Sequence, residues 1–476
     1  MKPKLLATVA LATALACLAA RPNKPTVSSL VLLYTSSVNG QIRSCNCTKF
    51  RFGGYGREMS LLASIRSASK DVILVEGGDV CGGGGFQAAL KADAAAQALA
   101  LLGYQAMVPG EEELGVRGTS YIDRFADASG QTAAQNTVVC ANLFEAGEHK
   151  PIFAPYVVLK TAGGLRVAVI GAIDESVCSP WLATSFGKTV KDPSDVLPAI
   201  VKEAAKKADL VVLIYHGVVD PAGSLAKVKG IDVILATHPH DQDRLFPEKD
   251  SNTVDAPVGK LGGAILVNSE TSTNWCVGRL DIQIASDRRI KSVTHKLLYL
   301  DRSYEEDPAM VKVYDAYNEK VKAAVLASSS QFKKIAEGML AKRGLNLAEM
   351  RQRLHKSPFA TAAKCKDCHP QIHLIWSGSD HSHAMATLQK THQDYDPECV
   401  RCHATGVMVR NGYLNAKETP ELGNVQCEAC HGPALAHTSS PARGFGRAGE
   451  QTCRSCHTSE RTPDFDYAVA WAKIMH

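Results

Sequence analysis

Four Cys-x-x-Cys-His runs, crowded into about a quarter of the chain, constrain this sequence more than any other feature. They are Cys365-Lys-Asp-Cys368-His369, Cys399-Val-Arg-Cys402-His403, Cys427-Glu-Ala-Cys430-His431 and Cys453-Arg-Ser-Cys456-His457. In such a run two thioethers fix a porphyrin, and the adjacent imidazole becomes an axial ligand of its iron. Chance placement of the chain's own Cys and His would produce roughly 0.02 such runs. Disulfides and zinc sites also use paired Cys, but neither requires a His directly after each pair. The pattern predicts four covalently bound haem c groups.

The surroundings of the motifs agree with this. Ten of the 16 His lie after residue 356. His373, His381, His383, His392, His437 and His476 are spare imidazoles for the distal side of the irons, with His355 just ahead of them and Met385 and Met408 as weaker candidates. From residue 357 onward regular hydrophobic patterning fades and Gly, Pro, His and Cys take over. So small a segment with so little patterned core needs a covalent or metal staple. It carries eleven basic and twelve acidic residues. Haem propionates would make it more acidic, which suits a cationic redox partner.

Residues 359–476 resemble the nitrifier tetrahaem cytochrome c (cytochrome c five-five-four) family. Besides the four motifs, the resemblance rests on Trp376, the Ser-His-Ala run at Ser382–Ala384, and the Ala-Thr-Gly that follows His403. Gly412-Tyr413 and the Val425–Pro433 stretch around the third motif add to it. The resemblance implies that His383 ligates the fourth haem opposite His457. His437 would serve the first opposite His369, and His476 the third opposite His431. The second haem, on His403, would then be five-coordinate, unless His373, His381 or His392 closes it.

Ahead of this region the chain reads differently. Lys2 and Lys4 precede an apolar run from Leu5 to Ala20 that closes in small residues, an export signal over 1–20. Retention as a membrane anchor and lipidation at Cys17 are the alternatives. No later apolar run reaches the ~18 residues needed to span a bilayer. Between about 28 and 300, the apolar runs Leu30–Leu33, Val72–Val75, Val167–Ile170, Leu210–Ile214, Val233–Leu235 and Ile265–Val267 alternate with helical patterns such as Arg57–Ser69 and Val196–Lys207. Continuous apolar strands between helices predict an α/β domain with buried strands. Residues 301–356 carry apolar positions at helical spacing, a helical connector, and the haem domain spans 357–476.

Polar residues follow the predicted strands, at the edge where open α/β sheets build sites. Asp79, Glu111, Glu112, His216, His238 and His240 could converge on one divalent metal, and carboxylate with imidazole suits Zn, Mn or Fe. The layout resembles the 5′-nucleotidase branch of the calcineurin-like metallophosphatases. Stretches such as Gly53–Arg57 and Gly230–Ile234 support that resemblance. It implies a sandwich fold and two metals bridged at Asp79, with His216, His238 and His240 as ligands. Ser37 and Asn39 stand where that family has Asp and His, and Glu111-Glu112 where it has Asn-His. One metal then keeps only Asp79 and His240, while the other retains Asp79, Glu111, His216 and His238. Two-metal hydrolysis clamps both the attacking and the leaving oxygen, so this chain is expected to be a degenerate metallophosphatase.

Cys45, Cys47, Cys81, Cys140, Cys178 and Cys276 are expected to form disulfides in an oxidising compartment, or Cys45, Cys47 and Cys81 a sulfur-rich metal site. Fifty-three basic against 48 acidic residues give a net charge of +5, too weak for a nucleic-acid binder. The expectation is an exported electron-transfer protein of the periplasm, outer membrane or cell surface that works with redox partner proteins. A redox enzyme with an open second haem and a metal-dependent phosphoesterase are the other two readings.

Overall fold

The computed structural model describes residues 27–44, 52–82, 85–115, 119–128, 137–178, 181–238, 245, 247–248, 251–268, 271, 274–343, 357–458, 461–462 and 465–476. The apolar runs become strands β1 (Val27–Thr35), β2 (Val72–Glu76), β3 (Ala106–Met107), β4 (Thr137–Val138), β5 (Leu143–Glu145), β6 (Tyr156–Lys160), β7 (Arg166–Ile173) and β8 (Lys188–Val190). There follow β9 (Leu210–His216), β10 (Val233–Ala236), β11 (Thr253–Asp255), β12 (Gly259–Leu261), β13 (Ala264–Asn268), β14 (Cys276–Ala285) and β15 (Ile290–Tyr299). The helices of this part are α1 (Tyr55–Ala68), α2 (Gly85–Leu102), α3 (Glu111–Leu114), α4 (Ile122–Ala128), α5 (Glu175–Cys178), α6 (Trp181–Phe186), α7 (Pro193–Lys207) and α8 (Pro308–Ala341).

Two sheets pack face to face. One has seven strands in the order β11-β15-β14-β1-β2-β3-β4, the other six in the order β12-β13-β10-β9-β7-β6. Strands β1, β2, β3 and β4 pair in parallel, as do β7, β9, β10 and β13. Parallel pairing needs crossovers that cover both faces, which is why these strands read as unbroken apolar runs. Leu32, Ile73, Val169, Val212 and Leu235 fill the space between the sheets. Leu62, Leu99, Tyr314 and Tyr317 cover the first sheet from α1, α2 and α8, while Leu197, Val201 and Ala204 of α7 cover the second. The layers run helix, sheet, sheet, helix. Helix α7 starts on an Asp192 cap whose carboxylate accepts from the Ser194 amide at 2.7 Å, as that side chain is suited to do.

Helix α8 lies within the segment expected to be a connector. It is also part of the core, because Met310, Tyr314, Tyr317 and Val321 bury their spaced apolar positions against the first sheet's helices. No helix among the described residues is long and apolar enough to cross a membrane.

The remainder is built of short helices: α9 (Thr361–Cys365), α10 (Pro370–Ser377), α11 (Ala384–Gln389), α12 (Pro397–His403), α13 (Cys427–His431), α14 (Leu435–Ser439), α15 (Glu450–Arg454) and α16 (Tyr467–Ile474). Their packing is sparse. Helices α10, α14, α15 and α16 bury no residue, and Leu374, Ile375, Phe445 and Val469 stand exposed. The apolar cluster of this region gathers Phe359, Met385, Leu388, Val400, Ala404, Tyr413 and Leu422 around the second motif. Glu428, inside the third motif, is buried and accepts from the amides of Ala360, Thr361 and Ala434 at 2.7–2.8 Å. Gln426 accepts from Ala362 at 2.7 Å. These two side chains tie the third motif to the segment that leads into the first.

The expected disulfides do not extend to Cys81 and Cys140, which are buried free thiols. Each is committed locally: the Cys81 amide donates to Glu113 at 2.7 Å, and the Cys140 thiol lies 3.7 Å from Asn142 Oδ1. Cys17, Cys45 and Cys47 lie outside the described residues.

Candidate functional site

The edges of the two sheets meet at one cluster. Asp79 follows β2, Glu111 opens α3 after β3, His216 ends β9, and His238 follows β10. Ligand atoms of these four residues all lie within 4.8 Å of one another. Nε2 of His216 is 2.8 Å from Glu111 Oε2 and 3.6 Å from Asp79 Oδ2. Nε2 of His238 is 3.0 Å from Glu111 Oε1 and 3.9 Å from Asp79 Oδ2. His216 Nδ1 donates to the Gly77 carbonyl at 2.7 Å, which fixes the ring and turns Nε2 into the cluster.

Backbone geometry makes room for this. A Cβ on Gly110 would lie 2.2 Å from Asp79 Oδ1, and one on Gly78 2.7 Å from His216 Nδ1. Behind the ligands the buried Glu113 carboxylate accepts from the amides of Asp79, Cys81 and Gly110 at 2.7–2.9 Å. It therefore joins the loop after β2 to the loop after β3. Glu112 supplies its backbone amide, which donates to Asp79 Oδ1 at 3.1 Å. Ser37 and Asn39 contribute to the loop and not to the cluster: Ser37 Oγ donates to the Thr237 carbonyl, and Asn39 Nδ2 to the Ser37 carbonyl. His240 lies outside the described residues.

The charges interlock. Burial raises the Asp79 carboxyl to about 7, helped by the negative charges of Glu111 and Glu113 and opposed by His216. Burial disfavours a charge on His216, but Asp79 and Glu111 outweigh it and lift its pKa to about 9. Burial also works against ionised Glu111, yet bonds from His216 and His238 hold its carboxyl well below the usual range. Two imidazoles and two carboxylates, one imidazole already oriented by a carbonyl, form a donor set that fits one Zn, Mn or Fe ion.

In the haem region the four proximal His end or follow short helices, with their Cys one turn behind. Three of them send Nδ1 to a fixed oxygen: His403 to the Ala384 carbonyl at 2.7 Å, His431 to the Gly446 carbonyl, and His457 to Thr462 Oγ1 at 3.3 Å. That leaves Nε2 as the ligating atom. Iron–nitrogen bonds of ~2 Å on either side of one metal would set facing rings about 6 Å apart between centroids. The His369 and His437 rings are stacked at 6.5 Å with an interplanar angle of 11°. The His431 and His476 rings are 5.6 Å apart. The third pair differs from expectation: the ring facing His457, at 6.2 Å, is that of His381. His383 is exposed, because the two residues share a 3-10 turn and look in different directions. No ring contact with His403 is found among the described residues; His381, which faces His457, also lies close enough to His403 for their charges to oppose each other. Between the motifs, the neighbouring Cys427 thiol pushes the Cys365 thiol up, and Cys456 does the same to Cys402. The imidazole spacings, the paired motifs and the exposed apolar side chains between them together fit haem.

Comparison with known proteins agrees with both halves. Residues 364–432 match the family described as cytochrome c554 and c-prime. Cytochrome c-554 of Nitrosomonas europaea is 30% identical over 28% of this chain and 64% of its own length. The 2′,3′-cyclic-nucleotide 2′-phosphodiesterase/3′-nucleotidase of Haemophilus influenzae is 29% identical over 41% of this chain and 33% of its own. The chain thus spans less than two thirds of either relative. The crystal structure of a 5′-nucleotidase precursor from Thermus thermophilus superposes with a TM-score of 0.50 at 21% identity, covering 62% of this chain and 59% of that one. The chain therefore joins a domain with the metallophosphatase fold to a cytochrome c554-type region, and such a region implies covalently bound haem.

Two outcomes follow from this geometry. Titration of the chelator-treated protein with Zn or Mn is expected to saturate at one ion per chain, with His216→Ala weakening binding at least tenfold. Because His216 holds its proton up to about 9, the ion must displace it, so affinity should rise with pH across the range below that value. In the haem region, His381→Ala should convert one low-spin haem to high-spin, whereas His383→Ala should leave the spectrum unchanged.

Proposed function

We propose that this chain is an exported tetrahaem c-type cytochrome that carries electrons between redox partner proteins. Its metallophosphatase-type domain acts in this reading as scaffold and docking module. The observation that carries the proposal is the set of three imidazole pairs at 5.6–6.5 Å, each pairing the His of a Cys-x-x-Cys-His motif with a second, distant imidazole. Imidazoles on both sides of an iron favour electron passage over chemistry at the metal, because a strong axial bond must break before anything else can bind.

Attached haem supplies one-electron chemistry; the chain supplies the thiols, the axial imidazoles and the burial that set each potential.

A specific feature favours a second activity. His403 has its Nδ1 anchored and, among the described residues, no ring contact; the nearby His381 faces His457. That supports an open position on the second haem, suited to a small nitrogen species such as nitric oxide, hydroxylamine or nitrite.

Phosphoester hydrolysis has weaker support. The retained ligands can hold one ion, and neither Ser37 nor Asn39 turns a side chain toward it. The Glu112 position offers a carboxylate where the leaving group would need a proton donor.

Mass spectrometry of the denatured protein is expected to show the chain plus four haem masses, and the reduced native protein should bind carbon monoxide at one haem. Fewer than four haems after expression with a working maturation system would sink the tetrahaem reading, and uniform low-spin behaviour without ligand binding would sink the open site. Hydrolysis of AMP, with Mn or Zn supplied, should stay far below the ~1 per second of a working enzyme.

A further inference from the structure

The N-terminal domain reaches the haem region at a definite place. Gln87, in the first turn of α2, donates from Nε2 to Asp396 Oδ1 at 2.6 Å and to Tyr317 OH of α8 at 2.8 Å. Asp396 caps α12, accepting from the Glu398 amide at 2.9 Å. One turn further along α2, Lys91 Nζ lies 2.6 Å from Glu398 Oε2. Glu398 immediately precedes Cys399, the first thiol of the second motif. Gln87, Lys91 and Asp396 are buried, while Glu398 is one-third exposed and also lies 3.8 Å from Arg461. Arg43 and Asn318 add contacts to the Thr391 carbonyl at 3.4 and 3.2 Å.

On its other side the Lys91 stem rests against the loop that leads to the metal cluster. A Cβ on Gly40 would lie 3.1 Å from Lys91 Cδ and 3.0 Å from the Gly82 carbonyl oxygen. Lys91 thus runs from the loop after β1 to the attachment helix of the second motif.

We propose that α2 is the seat of the second haem: Gln87 positions its attachment helix, and the Lys91–Glu398 pair sets its reduction potential. The proposal rests on the tetrahaem reading. A fixed cation beside the thioether favours the electron-rich, reduced haem, and its paired carboxylate opposes this. Removing Lys91 leaves Glu398 with only the longer contact to Arg461, at 3.8 Å, and removing Glu398 leaves the buried Lys91 without that carboxylate. At an effective dielectric of about 20 and a charge–iron distance on the order of 10 Å, one unit charge changes the reduction equilibrium about tenfold. For a one-electron couple that is about 59 mV.

The test is a potentiometric titration of the full-length, haem-loaded protein, with haem number first established by mass. The second haem's component is the one missing from a chain carrying Cys399→Ser and Cys402→Ser. Lys91→Met should lower that component about tenfold in reduction equilibrium and leave the other three in place. Glu398→Gln should raise it by a similar factor, and Lys91→Arg should behave as the unmodified chain. If Lys91→Met fails to mature, the upward shift in Glu398→Gln decides alone. Variants that keep all their haems and move no component, or move all four together, overturn the proposal. A haem count below four in the unmodified chain sinks the tetrahaem reading instead. The variants still decide what seats whatever haem Cys399 and Cys402 hold.

Discussion

The haem region packs few of its own apolar side chains together, and polar clamps carry much of its order. Among the described residues of 357–476, one small apolar cluster is buried, around the second motif, while four of the short helices bury nothing. Exposed Leu374, Ile375, Phe445 and Val469 would leave a large uncompensated apolar surface on a protein without prosthetic groups. Polar side chains set the order of the backbone: Glu428 and Gln426 clamp the first motif to the third by amide bonds. In the tetrahaem reading the missing apolar interior is supplied by porphyrins tethered through the motif thiols, and folding and cofactor attachment become one process, as in metal-dependent small domains.

The N-terminal domain works the other way round. Its core is complete, and its site is a four-ligand cluster of Asp79, Glu111, His216 and His238. Glu113 holds the loops after β2 and β3 together through three amide bonds, so the ligand cluster survives as a rigid constellation even though Ser37 and Asn39 bring no side chain to it. The same loop then continues into α2, whose first two turns grip the helix of the second motif. One element therefore serves both halves of the molecule.

Much of this was legible in the residues. Continuous Val/Ile/Leu runs mark buried parallel strands because both faces of those strands are covered. The Asp79, Glu111, His216 and His238 set could be read because each member follows a strand at the same sheet edge. What escaped had physical reasons. Helix α2 is so rich in alanine that no polar face betrays it, and yet it makes the decisive contacts with the haem region. His381 and His383 are two residues apart, and spacing alone cannot say which of them a 3-10 turn aims at His457. The thiols of Cys81 and Cys140 were expected in disulfides, but pairing depends on distances that composition does not carry.

The backbone of the metal loop has a consequence for the stability of the whole domain. Asp79 has φ of 56°, Ser37 50° and Asn39 53°; Asp and Asn visit this left-handed region more readily than other residues, so the cost, about 1 kcal/mol, falls chiefly on Ser37. Against a typical folding margin of about 5–15 kcal/mol, that is a noticeable handicap. At Asp79 the left-handed backbone accompanies a ligand. At Ser37 no ligand comes with it, so that position is where glycine could relax the fold without removing a metal-binding atom.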